Sequence, residues 1–211
     1  MVIFDLDGTL IECTDSVWEI LHDYFKTDRK EWIKVKRNFF EGKISYREWV
    51  EKDVELIKNK NGNKVTLLEA MKNIKLTDGA IETLKTLKEN GYKLAVVSGS
   101  LNIVIDYFSL NDFFDEIMIN KIFFDEKGNI IESEHTPYDI KTKIDGLNYL
   151  TKKFGIDSEE CVFVGDHFND VSIAKSVGLS IAFNPKDKEL EKISDVVIKK
   201  KDLREILKFI Q

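Results

Sequence analysis

Short apolar runs alternate along much of the chain with stretches of helical spacing. The run Val2–Leu6 is almost wholly apolar, which is typical of a strand buried on both faces. Similar runs predict strands at about 92–97, 161–164, 179–183 and 196–198, and a hairpin at 117–124 and 129–132. Helical spacing predicts helices at about 78–90, 101–110, 140–154, 171–177 and 203–210. This alternation predicts an α/β fold, with a Rossmann-like parallel sheet covered by helices on both faces.

One long segment departs from this alternation. Residues 15–74 keep helical spacing throughout and contain no convincing strand, so we interpret them as an all-helical insertion of roughly 60 residues. The predicted division is a core domain at 1–13 and 77–211 and a helical cap at 14–76. The cap leaves and re-enters the core beside one edge of the sheet, where we expect it to act as a lid.

Polar clusters follow three of the predicted strands. Asp5 and Asp7 end the first, Ser98-Gly-Ser100 ends the second, and Gly165-Asp-His-Phe-Asn-Asp170 ends the third. Ligands bind at the carboxyl edge of parallel sheets, so these side chains are expected to converge. Paired acids at the end of a buried strand are costly unless a positive charge lies between them. A divalent cation used in phosphate chemistry would supply that charge.

Composition narrows the class of protein. The chain has 211 residues and a formal charge of −6, with scattered lysines, which argues against nucleic-acid binding. No apolar run approaches the roughly 20 residues needed to cross a bilayer, and no signal peptide is recognisable, so no membrane partner is expected. Cys13 and Cys161 are far apart in the sequence, and we interpret them as reduced thiols of a cytoplasmic protein.

The motifs resemble those of haloacid dehalogenase superfamily phosphatases, and within that superfamily those of phosphoserine phosphatases. The matching segments are Phe4-Asp-Leu-Asp-Gly-Thr-Leu10, Val96-Val-Ser-Gly99, a lysine upstream of the third strand, and Val164-Gly-Asp-His-Phe-Asn-Asp170. Glu41-Gly-Lys43 and the tail Lys201-Asp-Leu-Arg-Glu-Ile-Leu207 match as well, so the resemblance covers nearly the whole chain. It implies an HAD-like core with a cap inserted after the first strand.

The resemblance also implies roles for individual residues. Asp5 would be the nucleophile that becomes an aspartyl-phosphate, and Asp7 the acid and then the base. Mg²⁺ would be held by Asp5, Asp166 and the backbone carbonyl of Asp7, with Asp170 behind them holding the metal's waters and the lysine. Ser98, the Gly99 amide and Asn169 would grip phosphoryl oxygens.

Several residues leave alternatives open. Family spacing, 23 residues before Asp166, selects Lys143 as the catalytic lysine, with Lys141 as its rival. His167 could contact substrate or be an exposed loop residue. We interpret His22, His135 and Cys13 as having no part in the chemistry. Three tryptophans are interpreted as packing residues rather than a recognition surface: Trp18, Trp32 and Trp49.

The substrate-binding positions of phosphoserine phosphatases are not matched. The glutamate that binds the substrate's amine falls on Thr14, and the arginine that binds its carboxylate falls on Asp53. Glu12, Asp15 or Arg47 could replace them from neighbouring positions, but none restores the spacing. Ser100 also replaces the usual second glycine of its motif. An exposed aspartate at position 53 would repel a carboxylate, so phosphoserine is not expected to be the preferred substrate.

The expected function is Mg²⁺-dependent hydrolysis of a small phosphorylated metabolite. Phosphotransfer or phosphomutase activity through the same phosphoenzyme is the first alternative, because the difference depends on whether the lid admits water. A non-catalytic regulatory module on a phosphatase scaffold is the second. Dehalogenation is not expected, because a halide leaving group needs no acid such as Asp7.

Overall fold

A computed structural model describes residues 1–13 and 16–210 of the chain. Its strands are β1 (Val2–Phe4), β2 (Ile11–Glu12), β3 (Lys75–Leu76), β4 (Leu94–Leu101), β5 (Glu116–Phe124), β6 (Ile130–Glu134), β7 (Val162–Gly165), β8 (Leu179–Phe183) and β9 (Val196–Ile198). Its α-helices are α1 (Val17–Tyr24), α2 (Arg29–Phe40), α3 (Tyr46–Lys58), α4 (Lys64–Ala70), α5 (Ala80–Glu89), α6 (Asn102–Tyr107), α7 (Lys143–Phe154), α8 (Val171–Ala174) and α9 (Lys188–Ile193).

Seven strands form one sheet in the order β6-β5-β4-β1-β7-β8-β9. The first strand is central: Phe4 pairs in parallel with Val96 of β4 and with Val164 of β7. At one edge, β6 pairs antiparallel with β5 through the predicted hairpin. The sheet is therefore parallel except at that edge, which confirms the predicted α/β Rossmann-like fold. The carboxyl ends of β4, β1 and β7 lie side by side.

Burial on both faces explains why these strands are continuously apolar. Phe4 belongs to the apolar cluster that includes Leu84 of α5 and Val104 of α6. Its neighbour Ile3 points the other way, into the cluster that includes Leu147 of α7. Successive residues of a strand face opposite sides, so both faces of β1 need apolar side chains.

The segment between β2 and β3 is helical, as predicted, and contains α1–α4 followed by a 3₁₀ turn at Met71–Asn73. At its base, β2 and β3 form a two-residue antiparallel ladder that the sequence did not predict. Helix starts here are capped by side chains; Ser45 and Glu48, for example, form a reciprocal capping box at α3. The division at 13/14 and 76/77 stays a prediction, and Thr14 and Asp15 lie outside the described residues.

Some predicted helices are shorter or differently wound. The helix expected from residue 140 begins only at Lys143, because Ile140 has a φ of +48°, a left-handed conformation that no α-helix accommodates. The helix expected at 203–210 is a 3₁₀ segment, Leu203–Lys208, capped by Asp202. Another 3₁₀ turn, Phe168–Asp170, precedes the single-turn α8. None of the helices among residues 1–13 and 16–210 is both long enough and apolar enough to span a membrane.

The strand β4 does not end at Ser98 but continues irregularly through Ser98-Gly-Ser100, where its register against β5 shifts. Asn120, fully buried on β5, bridges this irregularity. Its amide nitrogen donates to the Gly99 carbonyl at 2.7 Å, and its amide oxygen accepts from the Thr136 N–H at 2.8 Å. Two backbone groups that the sheet leaves unpaired are thereby satisfied, which fixes the loop that carries Gly99.

We expect Asn120→Leu to lower the free energy of unfolding by about 1–3 kcal/mol, because it leaves the buried Thr136 N–H without its acceptor and removes one of the two hydrogen bonds to the Gly99 carbonyl. Urea denaturation monitored by circular dichroism would measure the loss. The matched control is Asn148→Leu on the exposed face of α7, for which a change within about 0.5 kcal/mol is expected. Equal effects of the two substitutions would show that Asn120 does not stabilise the loop.

Candidate active site

Three carboxylates cluster at the carboxyl edge of the sheet. Asp5 follows β1, Asp166 follows β7, and Asp170 ends the next 3₁₀ turn. All three are buried, and each offers an oxygen within 4.8 Å of the others. Such crowding of buried acids is unfavourable unless cations lie among them.

One cation of the cluster is Lys143, the first residue of α7. It is fully buried, and its Nζ donates to Asp5 Oδ1 at 2.7 Å and to Asp170 Oδ1. Burial alone would lower the pKa of Lys143, but Asp170 and Asp5 raise this pKa well above its usual value. Lys143 therefore stays charged. Its rival Lys141 is exposed, with Nζ 6.0 Å from the centre of the Phe39 ring.

Asp170 supports the other groups rather than facing the cavity. Its Oδ2 accepts hydrogen bonds from the N–H groups of Asp166 at 2.8 Å and His167 at 3.0 Å. Burial raises the pKa of Asp170 to about 6, against the opposing effect of Lys143. A side chain at Gly165 could not fit, because its Cβ would lie 2.3 Å from Asp170 Oδ2.

The residues at this edge fit a divalent metal ion. Asp166 Oδ1 is buried and accepts no hydrogen bond from residues 1–13 or 16–210. Burial, followed by the charges of Asp5 and Asp170, raises the pKa of Asp166 to about 8. A carboxylate with an unsatisfied oxygen beside other acids is the donor set that hard cations prefer. Gly8, at a φ of +81°, lets the backbone pass close by, since a Cβ there would lie 2.2 Å from Asp166 Oδ2.

The carboxylate of Asp7 lies outside the Asp5–Asp166–Asp170 cluster. Its Oδ2 accepts from the N–H of Val17, the first residue of α1, at 2.8 Å. Its Oδ1 is buried and finds no hydrogen-bond partner in the described part of the chain. Burial raises the pKa of Asp7 to about 6, so this carboxyl can hold or release a proton near neutral pH.

The three residues expected to hold the phosphoryl group lie together. Ser98 is buried, and Ser98, Gly99 and Asn169 all line one cavity. A fourth residue, Asp139, was not anticipated. Its Oδ1 accepts from Asn169 Nδ2 at 3.0 Å, and its Oδ2 lies 2.1 Å from where a Gly99 Cβ would stand. Nothing in the sequence pattern singles out Asp139, because it lies in an irregular loop.

Sequence analysis also missed Lys186. This residue lies shortly after β8, at the same edge of the sheet as Asp166 after β7, so a search of the residues that follow each strand could have found it. Its Nζ lies 2.9 Å from Asp166 Oδ2 and donates to the Cys13 carbonyl at 3.0 Å. Lys186 thus places a second cation beside the acidic cluster.

A cavity of about 370 Å³ lies between this edge and helices α1–α3. His167 lines it, and so do all three tryptophans, Trp18, Trp32 and Trp49, which we had interpreted as packing residues. Glu12 and Arg47, the suggested replacements for the missing substrate contacts, do not line it; Arg47 pairs with Glu51 at 2.7 Å instead.

Asp53 lines the cavity but is not the exposed acid that the sequence suggested. It is 3% exposed, and its Oδ1 lies 3.6 Å from His22 Nε2. Burial raises the pKa of Asp53, and the contact with His22 opposes that rise. The other unmatched position, Thr14, lies outside the described residues, as does Asp15.

Known proteins share both the sequence and the fold. A haloacid dehalogenase-like hydrolase family model matches residues 1–178. The phosphoserine phosphatase of Methanocaldococcus jannaschii is 36% identical over 214 residues, covering all of this chain and 97% of that protein. The phosphoserine phosphatase of Lactococcus lactis is 27% identical over 213 residues, covering 100% and 94%.

Solved structures of phosphoserine phosphatases have a similar fold. A phosphoserine phosphatase with a phospho-aspartyl intermediate analogue superimposes with a TM-score of 0.75 at 32% identity, covering all of this chain and 98% of that one. A substrate-bound phosphoserine phosphatase gives a TM-score of 0.76 at 31% identity, covering 100% and 97%.

These relatives overturn one expectation. Two unmatched positions led us to expect that phosphoserine is not the preferred substrate, and this expectation is wrong: full-length relatives at up to 36% identity are phosphoserine phosphatases. The physical premise also fails, because Asp53 is buried beside His22 rather than exposed. With its family model, its relatives and its fold in agreement, the chain belongs to the haloacid dehalogenase-like hydrolases and is a phosphatase.

Proposed function

We propose that this phosphatase hydrolyses phosphoserine to serine and inorganic phosphate, with Asp5 as the nucleophile and Mg²⁺ as its metal ion. The observation that carries the proposal is the buried Asp5 carboxylate, held by Lys143 beside Asp166 and facing the cavity. The full-length relatives named phosphoserine phosphatase support the choice of substrate. Cys13 and Cys161 are not joined by a disulfide, which agrees with the cytoplasmic site of action that we propose.

In the first step, a carboxylate oxygen of Asp5 forms a bond to phosphorus while the bond from phosphorus to the serine oxygen breaks. The departing oxygen takes a proton from Asp7, whose pKa of about 6 allows it to carry one at the start of the cycle. In the second step, Asp7 accepts a proton from water, and the resulting hydroxide oxygen displaces the Asp5 carboxylate from phosphorus. Phosphate leaves, and Asp7 is protonated again.

In this scheme Lys143 offsets charge repulsion, and Asn169 helps to position the phosphoryl group. An anionic nucleophile approaching a phosphate dianion is repelled, and the buried ammonium of Lys143 offsets that repulsion. Asp170 keeps Lys143 in place through its hydrogen bond. Ser98, the Gly99 N–H and Asn169 would donate to phosphoryl oxygens; for Asn169 this means exchanging Asp139 for the substrate.

Mg²⁺ would be held by Asp5, Asp166 and the backbone carbonyl of Asp7, and when bound it neutralises charge on the phosphoryl group. Asp166 suits this role because its Oδ1 is buried without a hydrogen-bond donor from the described residues. Asp170 remains behind it, since both its oxygens are already engaged by Lys143 and by backbone N–H groups.

Asp5→Asn should lower kcat for phosphoserine by about 10³-fold or more, because an amide is a poor nucleophile toward phosphorus. Phosphate release with Mg²⁺ present measures this, and circular dichroism checks that the variant is folded. Asp112→Asn, on an exposed 3₁₀ turn, is the matched control and should retain full activity. Undiminished turnover by the Asp5 variant would reject Asp5 as nucleophile.

Asp7→Asn should separate substrates by their leaving groups. Serine needs a proton as it departs, whereas p-nitrophenolate does not, so the variant should still release about one equivalent of p-nitrophenol in a rapid burst. The reaction of p-nitrophenyl phosphate should then stall at the phosphoenzyme, because the base for the second step is missing, whereas phosphoserine should stall before the phosphoenzyme forms. Rapid-quench kinetics measures the burst. Equal loss of the first step for both substrates would show that Asp7 is not the acid.

Metal affinity should depend on pH. Because the pKa of Asp166 is about 8, below that pH a proton must leave before a cation binds. The apparent Kd for Mg²⁺ should therefore rise about tenfold per unit as the pH falls from 8 toward 6. Titrating Mg²⁺ into EDTA-treated, desalted protein and following tryptophan fluorescence measures this. A pH-independent Kd over that range would show that Asp166 carries no proton in the metal-free site.

A further inference from the structure

The outer part of the cavity, away from Asp5, is walled by aromatic side chains. Phe40, Tyr46 and Trp49 form one contiguous wall, with ring centres of Tyr46 and Trp49 6.0 Å apart and those of Phe40 and Trp49 5.9 Å apart. Trp18 lies on the cavity as well and is fixed by a 2.8 Å hydrogen bond from its Nε1 to the Gly99 carbonyl. Trp32 lies on the cavity and stacks on His22, with ring centres 4.7 Å apart.

The charges in this outer part are mainly negative. Three carboxylates besides Asp5 and Asp7 line the cavity: Glu19 and Asp53 on the helical segment, and Asp139 beside Gly99 and Asn169. Among the described residues, Lys36 is the only lysine or arginine that does so. Setting aside Asp5 and Asp7, which serve the chemistry, the cavity is thus lined by three acidic side chains and one lysine.

Two of the three acids are buried, which makes their charge harder to explain without a ligand. Asp139 is 8% exposed and is held by Asn169 and by the Tyr46 hydroxyl, which donates to it at 3.0 Å. Asp53 is 3% exposed, and its Oδ1 lies 3.6 Å from His22 Nε2. These contacts do not remove the negative charge of either buried carboxylate, so a cationic ligand in the cavity would stabilise both.

Aromatic faces and carboxylates share one preference, for a cation. The negative face of an aromatic ring attracts ammonium groups, most strongly in a desolvated site, and carboxylates add to this attraction. A phosphate held at Asp5, Ser98 and Asn169 would place the alkyl part of its ester among these rings. Such a lining favours a positively charged nitrogen.

We propose that this aromatic and acidic wall binds the ammonium group of the substrate, and that the enzyme therefore also hydrolyses phosphomonoesters of amino alcohols that lack a carboxylate. These substrates carry a primary or a quaternary ammonium group, as phosphoethanolamine and phosphocholine do. The inference rests on the proposed function, because phosphoserine has the same ammonium group. In this proposal Lys36 binds the carboxylate of phosphoserine, a group that phosphoethanolamine and phosphocholine lack.

The decisive comparison uses two esters of the same shape. Phosphocholine and 3,3-dimethylbutyl phosphate differ only in a positively charged nitrogen that replaces a carbon. The kcat/KM for phosphocholine should be about tenfold or more above that for its neutral analogue. Equal values for the two esters would overturn the inference.

Substitutions of the acidic residues test which side chains cause the preference for the positively charged ester. Asp53→Asn and Glu19→Gln should each reduce the ratio of the two kcat/KM values about threefold or more, since each removes one negative charge from the wall. Because Asp53 is buried, Glu19→Gln keeps the test intact should the first variant fold poorly. Asp23→Asn, on the exposed side of α1 and outside the cavity, is the matched control and should leave the ratio unchanged. A ratio that neither variant alters would also overturn the inference.

Lys36 supplies the complementary comparison. Lys36→Gln should raise KM for phosphoserine about fivefold or more while leaving KM for phosphoethanolamine within about twofold, because only phosphoserine has a carboxylate. Parallel changes in both KM values would contradict the assignment of Lys36.

Failure of the inference and failure of the proposed function give different results. If phosphoserine is hydrolysed but phosphocholine and its analogue are used equally, only the present inference fails. If phosphoserine is not hydrolysed, the proposed function fails, and cation binding is still measurable without turnover. Choline should then quench tryptophan fluorescence at concentrations about tenfold lower than 3,3-dimethylbutan-1-ol, because all three tryptophans of the chain line the cavity. Equal quenching would reject the cation site.

Discussion

The site depends on how three buried carboxylates share one buried ammonium. Asp5, Asp166 and Asp170 lie together out of water, and Lys143 contacts Asp5 and Asp170 directly. Charges placed this way destabilise the fold unless more positive charge enters, so the site needs a cation before it needs a substrate. Lys186 supplies some of that charge at Asp166, and a divalent metal would supply the rest. The same deficit of positive charge that costs stability prepares the site for a metal and a phosphate.

Strand ends were predictable because a parallel sheet obeys simple rules. Continuous apolar runs identified β1, β4, β7, β8 and β9, and the polar residues after three of them met at one edge as expected. Lys143 could be preferred over Lys141 only through family spacing; the structure adds the physical reason, since Lys143 is buried against two acids and Lys141 is exposed.

The features that sequence analysis missed leave no periodic pattern of apolar and polar residues in the sequence. Asp139 lies in an irregular loop, and Asn120 acts through a register shift that depends on how β4 and β5 pair. The helix expected from residue 140 starts late because of the backbone at Ile140, which composition does not reveal. The error over Asp53 is of the same kind: counting positions identified the residue at a matching place but not whether water reaches it. Its burial beside His22 is a property of helix packing.

The chemistry and the choice of substrate are carried by different parts of the chain. Asp5, Lys143 and Asp166 are fixed by the central strands and by α7, whereas Trp49, Asp53 and Lys36 lie on α2 and α3. Because the sheet pairs β1 with two neighbours along its whole length, the reacting groups have little freedom to move. Trp18 and Tyr46 tie the helical segment to the site through hydrogen bonds to Gly99 and Asp139, so substitutions at Lys36, Trp49 or Asp53 disturb the strand ends less than substitutions at these two residues. Relatives can therefore keep one mechanism while the residues that surround the alkyl part of the substrate differ.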